Sequence, residues 1–534
     1  MSIFLHKEGK MSEEKIKQVA QDLDDEDTKY LPDNPWISAV PTLLAVFIYV
    51  IDGTIANVAL PHMAGSFSAT RDESMWILTS YLIASGIIIP SVGFFSKFFG
   101  RKNFYVISIL LFTVASMLCG LARNLGEMVL FRVLQGAGGG GILPISQAIM
   151  MESFPKEKRG TAMSVFGMGI IIAPIVGPVL GGWITDNWSW PWIFFINVPF
   201  GCLAAILSHK LLFNPPYSHR QKGVKMDGLG FFFLALWLLC LQVFFDKGNN
   251  ADWFNATWIC WIFAVSCMGG ICFFISQLIR KDTLVDLSVF KDRNFVIGTF
   301  IQVIMQAVLY ASLAILPQFL QSMMGYTAFL SGYSMMPRGL GSMTAMIICA
   351  FIADKVDKRY LVCTGLFLLG SAGLTFGFLN LQIASINIMI PNYIMGLGMG
   401  LSMVPIINLS LETLHNEQMT NATGLQNLLK NIGSAIGTSL VATMITRFGQ
   451  IHQYMMVGKL SELNPAYIER VQTTTAALSQ YTHVSVAKYM AEYSQYGTLI
   501  KQANLWAFMD SFRIFGLLCF LLIPLLFLFK KHET

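Results

Sequence analysis

Long apolar runs, separated by short polar stretches, dominate the chain from Trp36 onward. A helix needs about 20 apolar residues to cross a hydrocarbon core about 30 Å thick. Runs of this length begin near residues 36, 74, 104, 126, 160, 192, 226, 256, 294, 329, 360, 384, 421 and 505. The pattern therefore predicts an all-α membrane protein with fourteen spans.

One predicted connection is much longer than the others. Residues 448–504 are polar and separate the last two predicted spans. Asn464 followed by Pro465 indicates the start of a helix, so we expect short helices over 465–478 and 484–496. This outer segment is either a docking surface for a partner or a passive cap over the outer mouth.

Composition places the chain in the membrane class. It is 54% hydrophobic and only 13% charged, whereas a soluble domain is about 25% charged. Its nine cysteines lie within or beside apolar runs and show no CxxC spacing, which implies neither a disulfide framework nor a zinc site. Residues 1–35 are polar and acidic, as is typical of a disordered tail, and Met11 is a second candidate start.

The net charge of +5 reflects membrane topology rather than a nucleic-acid site. Basic residues collect in alternate loops, namely Lys97, Arg101, Lys102, Lys156, Lys158, Arg159, Lys210, Arg220, Lys222, Lys225, Arg280, Lys281, Lys291, Arg293, Lys355, Lys358 and Arg359. The intervening loops before residue 448 hold Arg71, Arg123 and Lys247. Because cytoplasmic loops are enriched in lysine and arginine, both termini are predicted to be cytoplasmic.

The first span contains a carboxylate within IDGTIANVALP, the segment Ile51–Pro61. Asp52 lies about two turns before the outer end of that span. An ionisable group at such a depth costs roughly 3 kcal/mol and usually faces a protein interior. Arg132, in LFRVLQG of the fourth span, lies at a similar depth. Similar depth permits an ion pair but does not show one, and the role of such a pair is either proton coupling or a fixed structural contact.

Proton coupling follows from the chemistry of a buried carboxyl group. Burial disfavours its charged form, whereas a neighbouring guanidinium favours that form. Asp52 is therefore able to exchange a proton when its site gains or loses a cation, or is alternately wetted and dried. The eight histidines lie in tails or near span ends, so no mid-membrane histidine relay is expected. The proton-motive force would be the energy source, with no cofactor.

Small residues recur at helix-packing spacing in two spans. Gly136 and Gly140 are four residues apart, and no Lys-Ser or Lys-Thr follows them. Close helix packing is therefore predicted rather than a phosphate cradle. One face of the fifth span carries Gly169, Ala173, Gly177 and Gly181, which permits close contact with a neighbouring helix. Pro174 and Pro178 remove backbone donors and are expected to bend that span.

A loop motif that occurs twice indicates duplicated halves. GFFSKFFGRK, Gly93–Lys102, joins the second and third spans, and a degraded copy, AFIADKVDKR, Ala350–Arg359, joins the tenth and eleventh. Each half then has six spans, with two spans left over between the halves. The predicted organisation is a cytoplasmic tail (1–35), a six-helix bundle (36–214), two additional transmembrane helices (215–285), five helices of the second bundle (286–447), a periplasmic loop with short helices (448–504), and the last helix with a cytoplasmic tail (505–534).

An ordered series of motifs carries a family resemblance. The series is IDGTIANVALP, GFFSKFFGRK, LFRVLQG, APIVGPVLGG, WPWIFFINVPFG, VDLSVFKDRNF and LLKNIGSAIGTSL. It resembles the signature of the fourteen-span drug:proton antiporters of the major facilitator superfamily, EmrB/QacA type, and the long outer segment resembles the EmrB branch. The resemblance implies two six-helix bundles plus two extra helices, and proton-coupled multidrug efflux across the bacterial inner membrane. It also implies a periplasmic EmrA-like adaptor and an outer-membrane channel as partners in a tripartite system.

The first loop motif departs from the superfamily pattern at its fifth position. That pattern has an aspartate, which helps to latch the halves, whereas this chain has Lys97. The second copy retains Asp354. The candidate gating and helix-packing residues are Gly93, Lys97, Gly100, Arg101, Gly169, Pro174, Gly177, Pro178, Gly181 and Asp354.

Three more cations lie deep in predicted spans: Arg338, Lys430 and Arg513. With Asp52 as the one clear acid, they predict an interior that disfavours lipophilic cations and accepts neutral or weakly acidic amphiphiles. Snorkelling, or pairing with backbone carbonyls, is the alternative. Amides on the candidate substrate path, each able instead to bridge helices, are Asn57, Gln135, Gln306, Gln318, Asn392, Gln426 and Asn431.

The sequence thus predicts a proton-coupled exporter of hydrophobic compounds, and other functions stay open. A dedicated exporter of one metabolite, such as a siderophore or a fatty acid, would use the same machinery. A membrane-embedded enzyme would need Ser, His and Asp converging at one depth, and no such set is apparent. A non-transporting scaffold would leave the deep charges unexplained.

Overall fold

The computed structural model describes residues 34–155, 158–212, 219, 227–279, 284–326, 328–352, 356–461 and 463–529. These residues form helices joined by turns, and no strand occurs among them. In chain order the helices are α1 Pro35–Ser66, α2 Arg71–Ser74, α3 Trp76–Phe99, α4 Arg101–Gly120, α5 Leu125–Gly139, α6 Ile142–Ser153, α7 Arg159–Asn187, α8 Trp192–Phe195, α9 Asn197–Leu211, α10 Gly228–Lys247, α11 Thr257–Ile279, α12 Arg293–Ser322, α13 Ala328–Ile352, α14 Lys358–Phe376, α15 Ile386–Leu411, α16 Asn416–Val457, α17 Pro465–Leu478 and α18 Val484–Leu522. The predicted all-α class is confirmed.

Thirteen helical segments of the described residues are long and apolar enough to cross a membrane. They coincide with every predicted span except the fifth. That position is occupied by α7, which has 29 residues and would be about 44 Å long. Its backbone is helical through both Pro174 and Pro178. One helix, or two consecutive helices, therefore stands at each of the fourteen predicted positions.

The fourth and sixth spans are each built from two helices. A turn at Gly140 and Gly141 separates α5 from α6, and Ile196 separates α8 from α9. The glycine run favours the first break because glycine loses more conformational freedom in a helix than any other residue. The second break sets Asn197 at the beginning of α9.

The outer segment is more helical than its sequence suggested. The predicted start at Pro465 is confirmed, with the Asn464 side chain accepting a hydrogen bond from the Ala466 N–H at 3.2 Å. The predicted end of the next helix at residue 496 is wrong, because α18 begins at Val484 and continues to Leu522. Gly497 alone does not stop it, since an isolated glycine costs only about 1 kcal/mol in a helix.

Two helices extend well beyond the thickness of a membrane. α16 has 42 residues and α18 has 39, so they are about 63 Å and 58 Å long. That is about twice the length needed to cross the hydrocarbon core. The side chains of Gln453 and Tyr496 join the two helices outside the predicted spans, at 2.8 Å.

The chain divides into two compact units. The first comprises Met1–Phe231, Ser276–Asp292 and Leu411–Asn427, and the second Phe232–Ile275, Arg293–Ser410 and Leu428–Thr534. Helix α16 thus contributes its first residues to one unit and the remainder to the other. The domain boundaries given above stay predictions.

In the first unit, glycines bring helices into direct contact. A Cβ at Gly136 would lie 2.4 Å from the Tyr81 carbonyl oxygen, and one at Gly138 would lie 2.5 Å from the Phe112 nitrogen. These positions hold α5 against both α3 and α4. The packing sets the height of Arg132, one turn before Gly136 on the same helix.

The second unit has an aromatic core. Phe376 of α14 and Phe512 of α18 lie with ring centroids 5.0 Å apart, and Phe319 of α12 packs on Phe508 at 5.5 Å. All four rings are buried. This core fixes α18 against α12 and α14.

Candidate functional site

Asp52 is fully buried in the first unit and accepts three hydrogen bonds. Its Oδ2 accepts from Arg132 Nη1 at 2.7 Å. Its Oδ1 accepts from Gln135 Nε2 and from Asn197 Nδ2, each at 2.8 Å. We call Asp52, Arg132, Gln135 and Asn197 the carboxylate cluster. The cluster brings together residues up to 145 positions apart in the chain.

Local helical geometry explains how α5 supplies two of these donors. Arg132 and Gln135 are three residues apart, so their side chains lie on one face. Arg132 Nη1 also donates to Gln135 Oε1 at 2.7 Å, which orients the amide so that its nitrogen points to Asp52. Asn197 donates as well to Ser116 Oγ at 3.0 Å, and Ser116 donates to the Phe194 carbonyl at 2.9 Å.

The guanidinium of Arg132 is held on several sides. Its Nε donates to the Ile77 carbonyl at 3.0 Å. The Tyr81 ring lies 4.3 Å from the guanidinium carbon and the Phe194 ring 5.6 Å from it. Contacts between a cation and the face of an aromatic ring are attractive. The cation is therefore balanced by one carboxylate and enclosed by two rings.

This arrangement fits an ionised carboxylate. Asp52 accepts from three donors and donates to none, and each of these hydrogen bonds is stronger to a charged acceptor than to a neutral one.

A second buried arginine lies in the other unit with different partners. Arg338 of α13 is 6% exposed. Its Nε donates to Asn392 Oδ1 at 3.2 Å and its Nη1 to Ser312 Oγ at 3.1 Å. Its Nη2 has no hydrogen-bond partner, and no ion pair to Arg338 occurs among the described residues. Both acceptors are neutral side chains.

The expectation that Arg513 is an unbalanced deep cation is wrong. Its Nη1 donates to Asp510 Oδ1 at 3.0 Å, and His452 Nε2 lies 2.8 Å from Asp510 Oδ2. Asp510 was overlooked because it precedes Arg513 by one turn, near the start of the predicted span. Lys430 is 9% exposed, and no ion pair to it occurs in the part of the chain that the structure describes.

The predicted amides differ in their surroundings. Gln135 belongs to the carboxylate cluster and Asn392 to the Arg338 site. Gln426 is buried and accepts from Gln147 Nε2 at 3.0 Å, within the first unit. Gln306 is half-buried, whereas Gln318 and Asn431 are exposed. The backbone of Asn57 lies in α1, and its side chain lies outside the described part of the structure.

Within the first loop motif, a single residue, Gly100, separates α3 from α4. Gly100 has φ +83°, a left-handed conformation that glycine adopts without a steric penalty. Arg101 is buried and pairs with Glu152. Lys97 is exposed in the last turn of α3, where a cation is favourable beside the helix C-terminus. Asp354 of the second copy lies outside the described residues.

The predicted packing glycines lie against other helices of the first unit. A Cβ at Gly177 would lie 2.2 Å from Thr54 Oγ1, and one at Gly181 would lie 2.6 Å from Ile55 Cγ1. At Gly93 the nearest atom would be Asn421 Oδ1, at 3.0 Å. Gly169 is looser, with its nearest contact, Leu43, at 3.5 Å.

Sequence reasoning missed two residues of the first unit. Asn197 stands in INVPF, inside a motif that carried the family resemblance, and an asparagine in an apolar run was the available signal. Glu152 lies at the end of α6, and a single acid at the end of an apolar run gave no signal of its partner. Among the described residues, no group of three or more His, Cys, Asp or Glu side chains could hold a metal ion.

Comparison with known proteins identifies the family of this chain. The sequence profile of the Major Facilitator Superfamily matches residues 42–438. The Multidrug export protein EmrB of Haemophilus influenzae is 34% identical over 429 residues, which are 79% of this chain and 82% of that protein. The Fatty acid resistance protein FarB of Neisseria gonorrhoeae is 33% identical over 451 residues, 82% of this chain and 85% of that protein.

A solved structure gives the same answer for the fold. The crystal structure of the human organic anion transporter MFSD10 (TETRAN) matches with a TM-score of 0.60, covering 93% of this chain and 100% of that one. Its sequence is 13% identical, so the likeness concerns the fold alone. The chain belongs to the Major Facilitator Superfamily and, within it, to the EmrB-type multidrug export proteins, as a multi-pass transporter of the bacterial inner membrane.

Proposed function

We propose that this protein is a proton-driven pump that exports hydrophobic compounds of several kinds across the inner membrane. The observation that carries the proposal is the carboxylate cluster, in which a fully buried Asp52 contacts Arg132 at 2.7 Å. An ionisable pair inside membrane-spanning helices is costly. If the pair separates and re-forms during transport, its role in proton exchange explains why such a costly pair is present.

The proposed cycle moves one proton at Asp52. In the paired form the site is ionised, as its three donors indicate. When the conformation changes and Arg132 withdraws, the carboxylate takes up a proton from the outer side, because burial then favours the neutral acid. Return of the guanidinium expels the proton to the inner side. Arg132 keeps its charge throughout.

The proton-motive force supplies the energy for this cycle. Each proton that crosses a potential of 100 mV contributes about 2.3 kcal/mol. That free energy sustains a substrate gradient of order fiftyfold, since each 1.4 kcal/mol corresponds to tenfold. Transport in this proposal therefore needs no nucleotide or other cofactor.

Neutral or weakly acidic amphiphiles are the proposed substrates. The relative from Haemophilus influenzae is named for multidrug export, and the carboxylate of Asp52 is already occupied by three donors. A second candidate is the export of one metabolite class by the same mechanism. The relative from Neisseria gonorrhoeae, named for fatty acid resistance, supports fatty acids as that class.

The outer extensions of α16 and α18 are proposed to dock a periplasmic adaptor that leads to an outer-membrane channel. With these extensions in the periplasm and fourteen spans in the chain, both termini lie in the cytoplasm in this proposal. Tyr489 and Tyr493 are each 70% exposed and Val486 is 48% exposed, and spacings of three and four residues place them on one face of α18. Exposed aromatic residues are enriched at protein interfaces, which supports docking over a passive cap.

Transport in proteoliposomes tests the proton coupling. We expect the parent protein to move N-phenyl-1-naphthylamine, a neutral hydrophobic dye, uphill when a pH gradient is imposed. Asp52→Asn should abolish the dependence on the gradient while the protein remains folded, and Glu469→Gln, on exposed α17, is the matched control. Gradient-driven transport by Asp52→Asn at the parental rate would refute the role of this carboxylate.

A further inference from the structure

Arg338 is enclosed by protein, and no acidic side chain of the described residues pairs with it. Its side chain is 6% exposed, two of its nitrogens donate to neutral oxygens, and Nη2 has no hydrogen-bond partner in the described part of the chain. Leaving a buried polar group unsatisfied costs about 1 to 3 kcal/mol, and more when the group is charged. The contacts of Arg338 with α12 and α15 therefore leave one nitrogen of its guanidinium, Nη2, without an acceptor.

The two acceptors are themselves fixed. Asn392 is fully buried, and its Nδ2 donates to the Ser334 carbonyl at 3.2 Å and to the Ile388 carbonyl at 3.1 Å. The Ser312 hydroxyl donates to the Leu309 carbonyl at 2.7 Å. Both side chains are therefore held in place by hydrogen bonds of their own.

The backbone beneath Arg338 is fixed as well. A Cβ at Gly396 would lie 1.9 Å from the Arg338 carbonyl oxygen, and one at Gly341 would lie 2.1 Å from the Tyr393 carbonyl oxygen. The glycines bring α13 and α15 into direct contact at Arg338 and three residues beyond it. The position of the guanidinium is thus set before any ligand arrives, and preorganisation of this kind favours binding.

A guanidinium with a free edge matches one kind of ligand. Its Nη2 carries two N–H groups that can donate to the oxygens of an acidic group, and charge-assisted bonds are about twice as strong as neutral ones. The buried residues on these helices include the apolar Ala311, Ile388 and Met395, a setting that suits a ligand with an apolar body. A doubly charged ligand would meet a single positive charge here.

The geometry points to Arg338 as the residue that binds the acidic group of an amphiphilic substrate with one negative charge on an apolar body. Asn392 and Ser312 act as positioning residues, since they orient the guanidinium. This inference rests on the proposed function and specifies part of its substrate class. It assigns substrate charge to the second unit and proton exchange to the first.

A matched pair of fluorescent probes tests the inference. 8-Anilino-1-naphthalenesulfonate carries one negative charge, and N-phenyl-1-naphthylamine is the same skeleton without it. Affinities are measured on the full chain in phosphatidylcholine nanodiscs, with the signal of empty nanodiscs subtracted. The ratio of the two affinities reports on the charge alone, because partition of the shared skeleton affects both probes.

Four variants distinguish binding from a structural role. Arg338→Gln is expected to lower the preference for the anion at least tenfold. Ser312→Asp supplies an internal counter-ion at the Arg338 side chain and should lower it by a similar factor, while Ser312→Asn, of the same size and without charge, should change it less than threefold. Lys488→Gln, which removes an exposed charge, controls for the loss of one positive charge elsewhere.

The result for Ser312→Asp is decisive even if Arg338→Gln fails to fold. A carboxylate added beside an unneutralised cation should not destabilise the fold, so this variant should remain folded. An unchanged ratio in Ser312→Asp would overturn the inference. Displacement of the anionic probe by phosphatidylglycerol, in the parent but not in Ser312→Asp, would also overturn it by making a lipid the occupant. Uphill transport of the neutral dye is measured separately, so its absence in the parent would refute the proposed function instead.

Discussion

Two buried arginines, one in each compact unit, have opposite electrostatic surroundings. Arg132 contacts a carboxylate at 2.7 Å, an amide oxygen and a backbone carbonyl. Arg338 contacts an amide oxygen and a hydroxyl, and one of its nitrogens has no partner. The first arginine is neutralised by a carboxylate of the protein, whereas the second has no acidic partner among the described residues. In our proposals, the first arginine belongs to the site of proton exchange and the second binds the charged group of a ligand.

Burial alone does not distinguish these sites, since both arginines are more than nine-tenths buried. What differs is whether the protein itself supplies the counter-charge. A buried pair is strongly destabilised when one partner is removed, because the other charge is left uncompensated. Replacing an unpaired cation leaves no uncompensated charge behind. The same substitution at the two positions should therefore have unequal effects.

The largest effect is expected for Arg132→Gln. The change leaves Asp52 as a buried carboxylate without its cation, so we expect the protein to be destabilised by about 3 to 5 kcal/mol. Thermal unfolding in detergent, followed by tryptophan fluorescence, measures the loss. Adding Asp52→Asn to the same chain should recover more than half of it, because the stranded charge is removed. If the double variant is no more stable than Arg132→Gln, the pair is not the source of the effect.

A smaller loss is expected for Asn197→Ala. This substitution removes one hydrogen bond to an ionised carboxylate, which is worth about 1.5 to 3 kcal/mol. The same unfolding assay applies. Asn187→Ala, at an exposed position of α7, should change stability by less than about 0.5 kcal/mol. Equal effects of the two alanines would show that Asn197 does not support the carboxylate cluster.

Arg338→Gln is expected to change stability by less than about 1 kcal/mol. Loss of its hydrogen bonds is offset by removal of a buried charge that the protein does not neutralise. The comparison with Arg132→Gln, made in the same detergent, uses an identical change of side chain. A loss as large as that of Arg132→Gln would mean that Arg338 has a structural counter-charge, and the contrast between the units would disappear.

The smallest effect is expected at an exposed pair. Arg447 and Asp252 form an ion pair in which both side chains are about half exposed, and such pairs contribute roughly 0 to 1 kcal/mol. Arg447→Gln should therefore leave the unfolding midpoint nearly unchanged, and raising the salt concentration should reduce even that difference. A loss of several kcal/mol here would show that arginine replacement is harmful at any position.

The sequence was informative about Asp52 and Arg132, and less so about their partners. A charge within an apolar run is visible from composition alone, and equal depth follows from counting residues along two helices. Neither observation shows that the two side chains point at each other, or that Asn197 joins them. Likewise, Arg338 and Arg513 looked alike in the sequence, although only Arg513 has a carboxylate partner, Asp510.

The chain by itself determined where helices form and which of them suit a membrane. Apolar run length, the Asn464–Pro465 start signal and the glycine spacing are local properties, since each acts on residues a few positions apart. Only the tertiary structure decided which charges meet. Asp52 and Arg132 are 80 residues apart, and their distance depends on how close α1 and α5 approach and on how each is rotated. No local rule supplies those quantities, because they result from packing among many helices at once.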